Sequence, residues 1–274
     1  MTRYGFGGRT AVVTGAGSGI GRALAHELVD RGCHLALVER DGGRLGDAME
    51  EVRSRANVRV TCHALDVTDR AAVAALPAAI EAAHGGADLL FNNAGVALEG
   101  RFDQVSEADY DRVMEVNFHA VVRLTRVFLP LLRRSDDARI VNVSSIFGII
   151  APAGQTAYSA SKFAVRGFTM ALGHELDGTN VGATVVHPGG VNTNIARDAA
   201  LSSAMTDEEK ERRLAAAMRN LTMPPPRAAA IIVRGVQRRR RRIFVGADAG
   251  LAQRLERLLP SSYWALLKKL GMEI

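Results

Sequence analysis

Seven short apolar runs separated by longer amphipathic stretches are the feature that most narrows what this chain can become. The runs cover residues 10–14, 34–38, 58–62, 88–91, 140–143, 183–186 and 242–245. They lack the strict alternation of a strand with one wet face, so they suit strands buried on both sides. Helical patterns fill the intervals, among them 19–31, 70–84, 104–134 and 157–176. Strands alternating with helices predict parallel neighbours joined by right-handed crossovers. No linker interrupts this rhythm, so the expectation is a single α/β domain. Its sheet is doubly wound, seven-stranded and mostly parallel, with helices on both faces. Two regions break the pattern: residues 192–223, with a helical piece over 207–221 stopped by prolines at 224–226, and a leucine-rich tail over 251–274.

The first run ends in Thr14-Gly-Ala-Gly-Ser-Gly-Ile-Gly21 and opens into a helix. Glycines at a strand-to-helix turn allow a tight bend and a close approach of backbone to ligand. The helix N-terminus then offers free N–H groups and the positive end of its dipole to a pyrophosphate. Gly15, Ser18, Gly19, Ile20 and Gly21 are therefore candidate cofactor contacts. The second run leads into Glu39 and Arg40. A carboxylate there can accept from ribose hydroxyls, whereas the arginine suits a 2′-phosphate, so the two pull in opposite directions. Asp66, followed by Val67, stands after the third run, where its carboxylate can meet an adenine amino group. The fourth run ends in Asn92-Asn-Ala-Gly95, whose small residues let the chain pass close to a cofactor at Asn93, Ala94 and Gly95.

Tyr158 and Lys162 are four residues apart, hence on one face of a helix. A free phenol titrates near 10 and shuttles protons poorly at neutral pH. An ammonium group beside it favours the phenolate and brings it toward working range. Ser145, thirteen residues before Tyr158, is a candidate donor to hold a carbonyl or alcohol oxygen next to the phenol. An ordinary exposed helical pair would show the same Tyr–Lys spacing, so the rest of the chain decides.

Composition bears on what the chain meets. Cys33 and Cys62 are its two cysteines, too few for a disulfide framework or a cysteine-built metal site, and no metal is expected. That usage suits a reducing compartment, and the expected location is cytoplasmic. No run of 18 apolar residues offers a membrane span. The net charge of +6 is concentrated near the five arginines at 238–242. Nucleic-acid contact is one reading of that run. No aromatic residues interleave with it, so a solvated helix end leading into the last strand is the expectation, and no nucleic-acid partner is expected.

Taken in order, T-G-x-x-x-G-x-G, N-N-A-G, Asn117, Ser145, Y-x-x-x-K and His187-Pro-Gly-Gly190 resemble the short-chain dehydrogenase/reductase family over about residues 8–247. The resemblance implies a Rossmann-like domain that uses NAD or NADP. Tyr158 would be the acid/base, and Lys162 would bind the nicotinamide ribose and lower the phenol's pKa. Ser145 would orient the substrate oxygen, with Ser144 as its displaced rival, and Asn117 would position a proton-relaying water. Pro188, Gly189, Val191 and Thr193 would hold the nicotinamide end. Residues 1–250 would form the dinucleotide-binding catalytic domain, with a substrate loop at 192–226, and 251–274 a C-terminal helical extension. The expected reaction is hydride transfer to or from a secondary alcohol/ketone pair. Residues 96–99, Ile146, Phe147, 151–155, Gly190 and 194–223 would line the substrate and are mostly apolar, which favours a lipophilic small molecule such as a steroid, acyl thioester, terpenoid or cyclic alcohol. A cofactor-binding regulator or scaffold without turnover is the alternative. The family would also assemble as a homodimer or homotetramer through helices 104–134 and 157–176. Glu39 favours NAD, and Arg40 keeps NADP open.

Overall fold

The computed structural model describes residues 3–55, 57–201 and 205–269. Residues 202–204 of the expected substrate loop and 270–274 of the expected tail lie outside them, as do several side chains between 196 and 217. The strands are β1 (Thr10–Thr14), β2 (His34–Glu39), β3 (Val60–Ala64), β4 (Leu89–Asn92), β5 (Leu98–Glu99), β6 (Ala138–Val143), β7 (Val181–Pro188), β8 (Ala200–Leu201) and β9 (Arg242–Val245). The helices are α1 (Gly19–Val29), α2 (Gly42–Arg53), α3 (Arg70–His84), α4 (Glu107–Met114), α5 (Ala120–Leu132), α6 (Thr156–Glu175), α7 (Asn194–Arg197), α8 (Asp207–Asn220), α9 (Pro225–Gln237), α10 (Ala247–Leu258) and α11 (Tyr263–Lys269).

Seven strands form one sheet in the order β3-β2-β1-β4-β6-β7-β9, every pair parallel. The chain winds outward from β1 to β3, then returns to β4 on the other side of β1. The loops leaving β1 and β4 therefore diverge and open a crevice at their carboxyl ends, where open α/β sheets bind ligands. The pleat explains the continuous apolar runs. Ala11, Val13, Leu35, Leu37, Leu89 and Phe91 face one helical layer with Leu24, Leu28, Ile232 and Val233. Val12, Ala36, Val38 and Leu90 face the other, with Ile80, Leu124 and Phe128. Both faces of the central strands are covered, which leaves them no polar alternation, while the edge strands β3 and β9 keep partly exposed positions.

Four departures from the sequence expectations have local causes. β3 lies two residues later than the run at 58–62, paired from Leu35↔Val60 to Glu39↔Ala64. α2 follows β2 although glycines 42, 43 and 46 weaken its signal; Asp41 caps it by accepting from the Arg44 N–H at 3.0 Å. The expected helix 104–134 begins later, at Glu107 behind the Ser106 cap, and a π-helical turn over Glu115–His119 separates α4 from α5. The region after β7 contains the short strand β8, paired in parallel with β5. That pairing ties the expected substrate loop to the exit of β4.

The expected tail boundary at 250 falls inside α10, which starts straight after β9. Ala252 of α10 and Leu267 of α11 are buried with Ile149 and Ile150, and Phe147, Leu255, Tyr263 and Trp264 pack around them. The arginine run serves the sheet's last crossover. Arg239 pairs with Asp137 and Arg241 with Asp177, while the Arg242 guanidinium lies 5.1 Å over the Phe244 ring. α6, one of the helices expected between copies, turns Phe163 and Met170 to solvent. Among the described residues no helix is long and apolar enough to cross a membrane, and no histidine, cysteine and carboxylate cluster could hold a metal.

Candidate active site

β1 delivers the glycine turn into the crevice. Gly15 and Gly19 have φ of 64° and 52°, the left-handed region that glycine enters without penalty. Gly21 is needed for a different reason: a Cβ there would lie 1.9 Å from the Gly15 carbonyl oxygen, so the first turn of α1 packs directly on the bend. Ser18 begins α1 in extended conformation without closing its hydroxyl over the helix end. The first-turn N–H groups of α1, around Ile20, are thus available to an anion. The Thr14 hydroxyl accepts from the Asn93 and Ala94 N–H groups, both at 3.0 Å, and the Asn93 amide donates to the Thr14 carbonyl at 2.9 Å. The two glycine-bearing turns are one hydrogen-bonded unit.

At the end of β2 the Glu39 carboxylate accepts from the Gly17 N–H at 3.3 Å and from the Arg40 N–H at 3.0 Å. A side chain at Gly17 would strike both Glu39 and Arg44 at 2.8 Å. Arg40 is exposed. Arg44 is a second basic residue in this corner, and its guanidinium reaches across to Asp198 after α7 at 3.3 Å. Asp66 accepts from the Thr68 N–H at 2.9 Å and hydroxyl at 2.8 Å. Burial pushes this carboxyl up, but the Thr68 bonds, Arg40 and Arg112 outweigh burial and hold it below its ordinary value. The Val67 carbonyl accepts from Arg123 at 3.3 Å.

Lys162, Tyr158, Ser145 and Asn117 converge where β4, β6 and α6 meet. Lys162 is 2% exposed and donates to the Val143 carbonyl at 3.2 Å. Its ammonium lies 5.5 Å from the Tyr158 ring centroid. The Ser145 hydroxyl accepts from the Phe147 N–H at 3.1 Å and acts on the Tyr158 phenol, whose ring meets Phe147 edge to face at 6.1 Å. The Ser144 hydroxyl is committed elsewhere, donating to the Lys162 carbonyl at 2.8 Å. Asn117 lies in the π-helical turn. Its amide accepts from the Val96 N–H at 2.9 Å and donates to the Val96 carbonyl at 2.9 Å and the Ser161 hydroxyl at 3.1 Å. A Cβ at Gly95 would touch both Asn117 Oδ1 (3.2 Å) and Lys162 Nζ (3.4 Å).

The electrostatics differ in one respect from the sequence expectation. Burial pushes the Tyr158 phenol above its ordinary value, and the Ser145 hydroxyl is the group that pulls it back. The ammonium stands over the ring, with its hydrogen bond on Val143, so it does not offset the burial. Burial likewise pushes Lys162 down to about 8.

The segment after β7 completes the crevice. Gly189 donates to the Val245 carbonyl at 2.9 Å, and Gly190 donates to the Asp248 carboxylate at 2.6 Å. Met223 donates to the Gly190 carbonyl at 3.0 Å and pairs with Val191. Thr193 sits over Gly19, where a Cβ would meet it at 3.0 Å. Pro188, Gly189, Val191 and Thr193 are thereby held opposite the glycine turn. Thr14, Arg44, His187 and Asp248 are the residues around the site to which sequence reasoning gave no role. Thr14 was legible as the residue before the Gly15 turn and Arg44 by its position after the Asp41 cap. Asp248 is 58 residues from Gly190 and left no local signal.

A parallel sheet with a glycine cradle at its switch point and a tyrosine–serine–lysine group beside it defines a nucleotide-dependent oxidoreductase. The family model described as short chain dehydrogenase matches residues 9–203. The chain is 41% identical over 264 residues to SadH of Mycobacterium tuberculosis, named as an oxidoreductase, covering 96% of this chain and 95% of that one. A short-chain dehydrogenase/reductase from Burkholderia phymatum, solved in complex with NAD, superposes with a TM-score of 0.86 at 32% identity, covering 93% of this chain and 95% of that one. Levodione reductase superposes with a TM-score of 0.79 at 26% identity, covering 90% and 98%. The chain belongs to the short-chain dehydrogenase/reductase family of NAD(P)-dependent oxidoreductases.

Proposed function

We propose that this protein interconverts a lipophilic secondary alcohol and its ketone with NAD, using Tyr158 as acid/base. The observation that carries this reading is the convergence of Ser145 and Lys162 on Tyr158, the ammonium over its ring, with the glycine turn alongside. A nicotinamide bound in the crevice supplies or accepts the hydride. Gly15, Ser18, Gly19, Ile20 and Gly21 would hold its pyrophosphate, Glu39 and Arg40 the adenosine ribose, and Asp66 and Val67 the adenine. Asn93, Ala94 and Gly95 would line the path toward the nicotinamide, which Tyr158, Lys162, Pro188, Gly189, Val191 and Thr193 would hold. Ser145 holds the substrate oxygen against the phenol, which gives or takes the proton. Lys162 anchors the ribose and relays that proton. The Asn117 side chain, held by Val96 and Ser161, would position the water of that relay.

The apolar lining supports a lipophilic substrate. Ile146 and Phe147 pack with Phe244, Tyr263 and Trp264, and Val96 and Leu98 with Val113 and Ala157. The loop at 192–226 would cover the substrate, and the Arg44–Asp198 pair supports its placement across the crevice. The test is absorbance of the reduced nicotinamide over a panel of steroid, terpenoid and cyclic ketones and alcohols, alongside small polar ones. Turnover confined to polar substrates would overturn the lipophilic assignment. Cofactor binding with no turnover on any member would favour a regulator or scaffold.

The cofactor preference follows from Glu39. Its carboxylate faces the Gly17 N–H at the ribose-reading end of β2 and would repel a 2′-phosphate. Arg44, which flanks Gly17 together with Glu39, is engaged with Asp41 and Asp198. NAD is expected to exceed NADP by about 10–100-fold in kcat/KM, about 1.4–2.8 kcal/mol. Glu39→Ala should remove most of that difference, improving NADP and weakening NAD together. Measuring both cofactors with both proteins decides it: a wild type that prefers NADP would make Arg40 and Arg44 the residues that read the ribose.

A further inference from the structure

His187 lies in the interior of β7, with no exposed surface. Its ring stacks on Phe244 of the neighbouring strand β9, centroids 5.4 Å apart and planes 16° from parallel. Its Nδ1 is 3.1 Å from the Ser145 carbonyl oxygen. A carbonyl only accepts, so Nδ1 carries the proton and the tautomer is fixed. Nε2 has no protein hydrogen-bond partner. The charged groups around the ring are Arg242 of β9 and Arg166 of α6, the latter 3.9 Å from Glu256 of α10. Burial, followed by the two arginines, pushes the imidazole down to about 4 despite the Ser145 bond, so it is neutral through the working range.

The backbone around Ser145 gives this bond its importance. The last ladder bond of this strand is Ser144 N–H to the Val186 carbonyl, at 2.8 Å. Beyond it the chain leaves the sheet, and Ser145 adopts φ −162° and ψ 168° before the turn Ile146–Gly148. Its carbonyl is held by two donors, the Gly148 N–H at 3.0 Å and the His187 imidazole. The Gly148 bond belongs to the turn itself and moves with it. The His187 bond ties that peptide to the rigid sheet.

We propose that His187 is a positioning residue: its Nδ1–H fixes the Ser145 carbonyl to β7 and so helps to set where the Ser145 hydroxyl stands relative to Tyr158. This rests on the reading of Ser145 and Tyr158 given above. The Phe244 stack sets the direction of the imidazole, and β9 thereby contributes to the placement of Ser145.

Two substitutions separate the bond from the packing. His187→Phe keeps a flat ring against Phe244 and removes the donor. His187→Asn keeps a donor near the Nδ1 position and removes the stack. In alcohol oxidation, where Tyr158 must be deprotonated, the Phe variant is expected to lose roughly 10–100-fold in kcat, the scale of a displaced reacting group. Its cofactor Kd should stay unchanged. The acidic limb of its pH profile should move to higher pH, because the Ser145 hydroxyl is what draws the phenol's pKa down. The Asn variant should retain most of kcat and the wild-type limb even if its thermal stability falls. A Phe variant with wild-type kcat and limb would overturn the proposal. So would a pair of variants that lose activity only in step with stability. Ser145→Ala run in parallel isolates the underlying reading. If it retains activity, the role of Ser145 fails and the inference falls with it; if it is inactive while the Phe variant is not, the role of His187 alone fails.

Discussion

Tyr158→Phe is expected to lower kcat by roughly 10²–10⁴-fold, the usual contribution of a positioned general acid or base. The substitution keeps the ring, so its edge contact with Phe147 and its position beneath the Lys162 ammonium survive. It removes the hydroxyl on which Ser145 acts. Cofactor affinity should change little, since the glycine turn, Glu39 and the segment after β7 are untouched. The thermal midpoint should hold or rise, because a half-buried phenol raised by burial gives up little on losing its oxygen. Steady-state turnover and cofactor titration by fluorescence check both halves. Near-wild-type turnover would remove Tyr158 from the acid/base role. Equal losses in turnover and cofactor affinity would mean that the ring holds the cofactor rather than moving a proton.

The fold was legible because burial on both faces leaves a plain signature. β1 matches its apolar run end to end, and α3 matches its expected span. α2 was hidden by three glycines in a short helix, although Leu45, Ala48 and Val52 stand at helical spacing behind the Asp41 cap. The π-helical turn is invisible to a 3.6-residue pattern, yet it is what places Asn117 against Val96 and Ser161. Ser145 could be told from Ser144 by spacing alone, and the hydrogen bonds give the physical reason: one hydroxyl is spent on the Lys162 carbonyl and the other faces Tyr158. What spacing could not supply was the balance of energies at the tyrosine. An ammonium one turn away suggested a depressed pKa, but burial acts on both groups and dominates in the protein without cofactor. The contacts of Asp248 and His187 were beyond reach for a topological reason. They act across parallel strands whose neighbours are set by crossovers, not by nearness in sequence.

Lys162→Met should move activity and stability in opposite directions. The ammonium is buried, and its pKa is pushed from an ordinary 10.5 down to about 8 by that burial. With the folded value below the unfolded one, the unfolded chain binds more protons between about pH 8 and 10.5. Stability from this group therefore rises with pH across that window. Below pH 8 both states are protonated and the whole cost of burying the charge is present, about 3 kcal/mol at one pKa unit per 1.36 kcal/mol. Methionine is close in length and unbranched and removes that cost. It also leaves the Val143 carbonyl without its donor, which costs about 1–2 kcal/mol. The cofactor-free variant should therefore be more stable at pH 7 by about 1–2 kcal/mol, the gain shrinking as pH climbs past 9. Its turnover should fall by roughly 10²-fold or more, because the proposed relay and ribose anchor would be lost. Chemical denaturation of both proteins at pH 7 and 9.5 is the measurement. A variant less stable at both pH values by the same amount would mean that Lys162 contributes packing and its Val143 bond rather than a charge held at a cost. The expected crossing of signs is what a site selected for chemistry leaves behind: a charge retained in a place where the fold alone would favour a hydrocarbon.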